Sequence, residues 1–280
     1  MPRFEPHPQR RPAVIAGASS GIGAATASAL GSAGFPVALG ARRTGACEEL
    51  AATIRAGGGE AVAYPLDVSD DESVTSFTAA VTEALGPIEV LVCSAGDIDA
   101  HLVHELDSGA FLREVQVHLV GVHRLVSNVV PGMVARQRGD VVFVSSDVVR
   151  QPRPRMGAYV AAKNAVEGMA SAMRMELEGT GVRVSVVRPG PTTTGMGLSW
   201  DAETVQLVLD DWSRWGLARH PYFLRPSDVA AAVTAVVSTP RGAHLTLVEV
   251  EPEAPLAARS RQQPGTADPG SGSGSDGRRP

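Results

Sequence analysis

The segment Ala13-Val14-Ile15-Ala16-Gly17-Ala18-Ser19-Ser20-Gly21-Ile22-Gly23 combines a short apolar run with a glycine-rich turn. An Ala-rich stretch from Ala24 to Ala33 follows and is typical of a helix. Glycines allow a tight turn and close approach of the backbone to a ligand, and a helix N-terminus offers free N–H groups to a phosphate. The segment therefore predicts a strand, a turn and a helix. Its GxxxGxG spacing departs from the usual dinucleotide fingerprint, so an ordinary βα turn without a ligand stays open as the alternative.

The same alternation of apolar runs and helical patterns continues along the chain. Because alternating strands and helices form right-handed crossovers, they predict a doubly wound α/β fold, with a parallel sheet of about seven strands and helices on both faces. The 280 residues suit one such domain. The predicted strands are Ala13–Ala16, Pro36–Leu39, Ala61–Leu66, Ile88–Cys93, Val141–Ser145, Arg183–Val187 and Leu245–Val250.

Composition argues against several classes of partner. The formal net charge is −5 and the basic residues are scattered, so we expect neither a nucleic-acid nor a lipid surface. No apolar run reaches the ~20 residues that span a bilayer, and Met1–Pro12 lacks the apolar core of a signal peptide. Cys47 and Cys93 form no disulfide framework, which fits a reducing compartment. We therefore expect a cytoplasmic protein without a membrane segment.

The chain divides into three parts by composition. Residues 1–12 are rich in Pro and Arg and are predicted to form a flexible arm. Residues 13–252 are predicted to form the single folded domain. Residues 253–280 are dominated by Gly, Ser, Pro and charge, which predicts a disordered tail, with a partner-binding tail as the alternative.

Tyr159 and Lys163 stand four residues apart, so on a helix they share one face. A nearby ammonium group favours the phenolate and lowers a Tyr pKa from its usual ~10, which suits proton transfer near neutral pH. Ser146 follows the apolar run Val141–Val144, at a strand end where a hydroxyl can hydrogen-bond a substrate oxygen. Taken singly, a half-exposed helical pair and an ordinary strand-end serine are the simpler explanations.

Together these motifs resemble those of the single-domain short-chain dehydrogenase/reductases, over residues 12–252. The resemblance implies a Rossmann-like catalytic domain that transfers hydride between a nicotinamide and a carbon of a small carbonyl or alcohol substrate. It rests on the order and spacing of Ala16–Gly23, Asp67-Val68, Ser94-Ala95-Gly96, Ser146, Tyr159 with Lys163, and Pro189-Gly190 with Thr194.

The resemblance also implies roles for individual residues. Tyr159 would donate a proton to the growing alkoxide and Ser146 would hold its oxygen. Lys163 would lower the pKa of Tyr159 and bind the nicotinamide ribose, and Thr194 is similar to the hydroxyl that meets the carboxamide. Asp67 is similar to the family's adenine-contacting Asp, but it could equally be the N-cap or turn residue of a helix beginning near Ser69. The residues matched to the family's cofactor-binding set are Gly17, Ser19, Ser20, Gly21, Ile22, Gly23, Arg42, Arg43, Asp67, Val68, Ser94, Ala95, Gly96, Tyr159, Lys163, Pro189, Gly190 and Thr194.

The end of the second predicted strand favours NADP(H) over NAD(H). Enzymes that prefer NAD usually place an acidic residue there to bind the ribose 2′-hydroxyl, whereas an arginine accommodates a 2′-phosphate. Ala41 stands at that position, followed by Arg42 and Arg43. Guanidinium groups bind phosphate with two parallel hydrogen bonds. Solvated loop arginines are the alternative interpretation.

Several positions depart from the family pattern. His118 stands where the family has an Asn on the helix before the Ser146 strand. A histidine that titrates near ~6.5 could replace this Asn in proton relay, or the relay could be lost, so His118 is included among the candidate catalytic residues. Ala16 replaces a Thr, and Cys93-Ser94 replace Asn-Asn or a similar pair across the same contact. Loss of both polar partners can be nearly neutral.

The segment between residues 195 and 226 resembles the family's substrate lid. Its aromatic residues favour a hydrophobic ketone or aldehyde, although docking of a lid helix onto the core explains them equally well. The apolar residues considered for either role are Met196, Leu198, Trp200, Leu207, Val208, Trp212, Trp215, Tyr222 and Phe223.

Two function classes remain open: an NADP(H)-dependent oxidoreductase, and a non-catalytic NADP(H)-binding interaction protein. The intact Ser146, Tyr159 and Lys163 favour the enzyme, and His118 is the main argument against it. No metal site is expected, because the histidines lack a ligand set such as HExxH.

The resemblance implies a homodimer or homotetramer, formed through helices around residues 105–130 and 157–178. A broad apolar set on the first of these is wide enough to cover a core and a partner: Val115, Leu119, Val122, Leu125, Val126 and Val129.

Overall fold

The computed structural model describes residues 4–197, 200–217 and 220–256, so Leu198 and the predicted tail beyond residue 256 lie outside the described residues. Strands and helices alternate within these ranges. The strands are β1 (Ala13–Ala16), β2 (Val37–Ala41), β3 (Ala61–Pro65), β4 (Val90–Cys93), β5 (Gly139–Val144), β6 (Val182–Pro189) and β7 (Leu247–Val250). The helices are α1 (Gly21–Ser32), α2 (Thr44–Ala56), α3 (Asp71–Leu85), α4 (Ser108–Val115), α5 (Gly121–Ala135), α6 (Gly157–Glu176), α7 (Ala202–Arg214) and α8 (Pro226–Ser238). A π-helical segment, Gln116–Val120, joins α4 to α5, and a 3₁₀ turn, Asp147–Val149, follows β5.

All seven strands form one parallel sheet in the order β3-β2-β1-β4-β5-β6-β7. The predicted doubly wound α/β fold is confirmed. The strand order reverses between β1 and β4, and in such sheets a ligand crevice lies outside the carboxyl ends of the strands at that point. The fold therefore places the ends of β1 and β4 at the centre of the candidate site.

Successive residues of the central strands point to opposite faces of the sheet. Val14 and Ala16 of β1 join a core cluster that contains Phe77 of α3, whereas Ile15 joins the cluster that contains Leu30 of α1. Because both faces are covered, every residue of β1, β2, β4 and β5 is buried. Within the described ranges, no helix is long and apolar enough to cross a membrane.

The segment expected to be a flexible arm is anchored by a buried ion pair. Arg11 donates to Asp140 of β5 and to the carbonyl oxygen of Val237, the latter at 2.6 Å. Arg183 of β6 donates to the other carboxylate oxygen of Asp140 at 2.6 Å. His7 contacts the carbonyl oxygen of Thr239 at 3.0 Å. The described part of the arm is therefore fixed to the amino-terminal ends of β5 and β6.

Asp140→Ala is expected to lower the free energy of unfolding by about 3–5 kcal/mol, because it leaves two buried guanidinium groups without their carboxylate. Urea unfolding followed by Trp fluorescence measures the loss. Glu60→Ala is the matched control, since Glu60 pairs with Arg10 at the exposed surface. That variant should lose no more than about 1 kcal/mol. Equal losses in the two variants would contradict the structural role of the buried pair.

Candidate active site

The turn between β1 and α1 packs directly on the end of β4. Gly17 has φ +90°, and a Cβ there would lie 2.6 Å from the Cα of Ala95, so this position requires glycine. The hydroxyl of Ser94 donates to the carbonyl oxygen of Ala16 at 3.0 Å. The contact expected to have lost both polar side chains therefore keeps one, supplied from the β4 side.

The N-terminus of α1 carries the features of an anion site. None of the described residues caps its first turn through a side chain; this turn follows Ser20 and begins at Gly21 and Ile22. The exposed Arg43 donates to the hydroxyls of Ser19 and Ser20, at 3.1 and 2.8 Å. A guanidinium group beside uncapped helix N–H groups is a combination that binds phosphate.

The far wall of the turn is formed by Thr194. A Cβ added to Gly21 would lie 3.2 Å from the Cβ of Thr194, so the two residues are in close contact. Thr194 follows Pro189 and Gly190 at the end of β6, where the N–H of Gly190 donates to Val250 at 2.8 Å. The end of β6 therefore reaches the same turn as the ends of β1 and β4.

Asp67 and Val68 lie between β3 and α3. Asp67 accepts hydrogen bonds from the backbone N–H and the hydroxyl of Ser69, at 2.9 and 2.5 Å, and these bonds lower its pKa. Asp70, rather than Asp67, caps α3 by accepting from the N–H of Ser73 at 2.9 Å. Asp67 is therefore a turn residue, and it contacts no residue of the β1–α1 turn through a hydrogen bond in the described part of the chain.

Ser146, Tyr159 and Lys163 come together beyond the end of β5, and all three are buried. Tyr159 and Lys163 lie in the first two turns of α6, whereas Ser146 follows β5 and begins the 3₁₀ turn. The ammonium group of Lys163 lies 5.5 Å from the centroid of the Tyr159 ring and donates to the carbonyl oxygen of Val144 at 2.8 Å.

Burial dominates the electrostatics of this group. Desolvation raises the pKa of Tyr159 to about 12, although the hydrogen bond with Ser146 opposes the rise. Desolvation also lowers the pKa of Lys163 to about 8. The net shift of the Tyr159 pKa is therefore upward, opposite to the expected lowering, because loss of water outweighs the hydrogen bond with Ser146 and the positive charge of Arg153.

His118 lies in the π-helical segment, a feature frequent at functional sites. Its ring stands edge-on to Tyr159, with 5.0 Å between centroids, and its Nε2 lies 2.5 Å from the carbonyl oxygen of Asp97. Because a carbonyl oxygen only accepts, Nε2 carries the proton, and Nδ1 is an acceptor with no partner among the described residues. Burial and the nearby Lys163 lower the pKa of His118 to about 3, so the expected titration near ~6.5 is wrong.

The low pKa of His118 in the folded protein should make the free energy of unfolding fall as the pH falls. Its folded pKa of about 3 lies below the unfolded value of 6.5, so between these values the unfolded chain binds more protons and unfolding becomes easier as the pH falls. Relative to His118→Asn, the wild type should lose about 1–2 kcal/mol between about pH 7 and pH 5. Urea unfolding at each pH measures this difference, and a difference independent of pH would contradict it.

Part of the predicted lid covers Tyr159. Trp200, Val208 and Trp212 pack into a small apolar cluster that contains Tyr159 and Ile98, and the indole N–H of Trp200 donates to the carbonyl oxygen of Ile98 at 3.0 Å. The docking interpretation is therefore right for Val208 and Trp212. The remaining described residues of the set are exposed: Met196, Leu207, Trp215, Tyr222 and Phe223.

Two charged residues beside Ser146 were missed by the sequence reasoning. The hydroxyl of Ser146 donates to Oδ1 of Asp147 at 3.2 Å, and Arg153 donates to the same oxygen at 2.8 Å. Both charged residues are buried. The available signal was an acidic residue three positions after the end of a buried strand, with an arginine six positions further on.

The chain matches the family model for short chain dehydrogenases over residues 11–204. It belongs to the short-chain dehydrogenase/reductase family. The chain is therefore an oxidoreductase of this family. Members of the family act on alcohols and carbonyl compounds with a nicotinamide cofactor.

Two relatives and one solved structure illustrate its place in the short-chain dehydrogenase/reductase family. It is 38% identical to the glycine betaine reductase ATRR of Emericella nidulans over 86% of its own length, but spans only 18% of that protein. It is 32% identical to the 2,3-dihydro-2,3-dihydroxybenzoate dehydrogenase of Bacillus subtilis, over 84% of this chain and 91% of that protein. The alcohol dehydrogenase from the archaeon Thermococcus sibiricus, complexed with 5-hydroxy-NADP, superposes with a TM-score of 0.75 at 29% identity, covering 86% of this chain and 96% of that chain.

Proposed function

We propose that this protein is an NADP(H)-dependent oxidoreductase that reduces a hydrophobic ketone or aldehyde, or oxidises the corresponding alcohol. The observation that carries the proposal is the buried group of Ser146, Tyr159 and Lys163 at the carboxyl end of β5. A hydroxyl, a phenol and an ammonium group at the crevice of a doubly wound sheet suit proton transfer to a carbonyl oxygen.

The residues around the β1–α1 turn fit a nicotinamide dinucleotide. The uncapped N-terminus of α1 would bind the pyrophosphate, and Arg43 beside Ser19 and Ser20 would bind a ribose 2′-phosphate. The NADP analogue in the Thermococcus sibiricus structure supports this preference. The wall would be completed by Gly17, Gly21, Ile22, Gly23, Arg42, Asp67, Val68, Ser94, Ala95, Gly96, Pro189, Gly190 and Thr194. When bound, the nicotinamide supplies or accepts the hydride.

Tyr159 would deliver the proton. A pKa of about 12 means that the phenol is fully protonated at neutral pH, so it holds its proton until an alkoxide forms beside it. Ser146 would hold the substrate oxygen through its hydroxyl. Lys163, with its pKa near 8, remains largely charged at pH 7 and would stabilise the phenolate left behind. The cluster of Trp200, Val208 and Trp212 keeps water away from the ring and favours an apolar substrate body.

His118 would take part as a neutral group. Its Nδ1, which has no partner in the described ranges, would accept a hydrogen bond in the proton path, the part played in the family by the Asn at this position. Because His118 does not titrate near neutral pH, this role predicts no inflection of activity between about pH 5 and pH 8 from His118 itself.

The setting of the reaction is part of the same proposal. Cys47 and Cys93 are free and buried, which supports a reducing compartment such as the cytoplasm. On α5, Val122 and Leu125 are buried in the core, and the half-buried Val126 packs against the same core; its remaining exposed surface would be covered by a partner copy in a homodimer or homotetramer. The alternative function, a non-catalytic NADP(H)-binding protein, would bind the cofactor without turnover.

Tyr159→Phe is expected to lower the rate of NADPH-dependent reduction of 1-phenyl-1,2-propanedione by at least ~10²-fold, because the phenol supplies the proton. Loss of the reduced-nicotinamide absorbance measures the rate, and calorimetry checks that NADPH still binds. Tyr222→Phe is the matched control, since Tyr222 is exposed. Unchanged turnover in Tyr159→Phe would overturn the assigned role. NADPH binding without turnover of this or related diketones by the wild type would favour the non-catalytic alternative.

Arg43→Ala is expected to weaken NADPH binding by roughly 10- to 100-fold, since a hydrogen bond between charged groups contributes about 1.5–3 kcal/mol. NADH binding should change little, because NADH lacks the 2′-phosphate. Titration calorimetry measures both affinities. Arg55→Ala is the control, because Arg55 pairs with Glu48 at the far end of α2. An equal loss for NADPH and NADH would argue against a 2′-phosphate contact.

A further inference from the structure

A buried ion pair lies directly beside Ser146, the residue proposed to hold the substrate oxygen. Asp147 receives two hydrogen bonds from the guanidinium group of Arg153, one to each carboxylate oxygen. The same Oδ1 that accepts from Arg153 at 2.8 Å also accepts from the hydroxyl of Ser146 at 3.2 Å. Arg153 and Asp147 are each only 6% exposed, so water and salt screen both charges only weakly.

The lid helix covers this pair. The guanidinium carbon of Arg153 lies 4.9 Å from the centroid of the Trp212 ring, on α7. Trp212 itself packs in the apolar cluster that contains Tyr159. The face of an indole ring attracts a cation, and attraction is stronger where the cation is desolvated. Trp212 therefore holds Arg153 against Asp147 and closes the pair from solvent.

The two charges of the pair shift the pKa of Tyr159 in opposite directions. The negative charge of Asp147 raises the pKa of the phenol, and the positive charge of Arg153 lowers it. The other charged or titratable groups around the ring are Lys163 on α6, Glu114 on α4 and His118 in the π segment. Glu114 raises the pKa of Tyr159 as well, whereas His118 is neutral.

Without Arg153, Asp147 would impair the proposed proton transfer. An unpaired carboxylate would compete with the substrate oxygen for the Ser146 hydroxyl and would oppose formation of the phenolate at Tyr159. Arg153 occupies both carboxylate oxygens, so it weakens the hold of Asp147 on Ser146 and offsets the negative charge.

We propose that Arg153 is a positioning residue which, paired with Asp147 under the cover of Trp212, sets the proton affinity of Tyr159 and leaves the Ser146 hydroxyl available to the substrate. The inference rests on the proposed role of Tyr159 as the proton donor. Its test does not require turnover, so the failure of the inference and the failure of the proposed function are separate results.

The test is a direct titration of Tyr159 in the full-length protein. The chain has three tyrosines, and replacing them biosynthetically with the more acidic 3-fluorotyrosine gives ¹⁹F resonances that move as each phenol ionises. Tyr159→Phe assigns the resonance of Tyr159. Asp147→Asn should lower its pKa by roughly one unit, because Arg153 is left unopposed, and Arg153→Gln should raise it by a similar amount. The double variant should titrate close to the wild type.

The expected result is two opposite shifts of the Tyr159 pKa that cancel in the double variant. Loss of packing alone would shift this pKa in the same direction in both single variants. If Arg153→Gln does not fold, the comparison of Asp147→Asn with the double variant decides. Asp211→Asn is the matched control, because it breaks the ion pair of Asp211 on α7 with Arg155, which lies in the same loop as Arg153; this variant should leave the titration unchanged. Shifts in one direction only, no shift, or an equal shift in Asp211→Asn would overturn the proposal.

Discussion

The contact of Gly17 with Ala95 determines the geometry of the whole site, since a single added methyl group would separate β1 from the end of β4. Two further contacts continue from it. Gly96 lies against His118 so closely that a Cβ would stand 2.1 Å from the ring, and His118 stands edge-on to Tyr159. An unbroken chain of close packing thus runs from the N-terminus of α1 to the phenol, and close-packed interiors transmit displacement. The distance between the two ends is set by the fold.

The order of the elements follows from local patterns, which is why the sequence predicts it well. Each of the seven expected strands is present, because short apolar runs bounded by turns are readable within a few residues. Boundaries are less accurate: β6 continues to Pro189, two residues beyond the prediction, since pairing with β7 extends it. The association of Tyr159 with Lys163 and Ser146 also follows from helix spacing and from the position of strand ends in a doubly wound sheet.

Other features depend on contacts that no local pattern encodes. Arg11 and Asp140 are 129 positions apart, and they meet only when the complete sheet has formed. The pairing of Asp147 with Arg153 depends on the loop before α6 and on the indole ring of α7. The direction of the pKa shift at Tyr159 was wrong in the sequence interpretation because desolvation is a property of the complete fold, whereas the neighbouring Lys163 is visible in the sequence.

The π-helical segment Gln116–Val120 has a consequence for how this region can vary. A π turn holds one residue more than an α turn, and each residue turns a helix by about 100°. The segment therefore sets the phase of α5 relative to α4. Substitution at His118 leaves that phase unchanged, but deletion of one residue would rotate α5 and carry Val122, Leu125 and Val129 away from the core. The length of this segment is therefore fixed. Homologous chains can be compared at residue 118 only where the same number of residues separates α4 from α5.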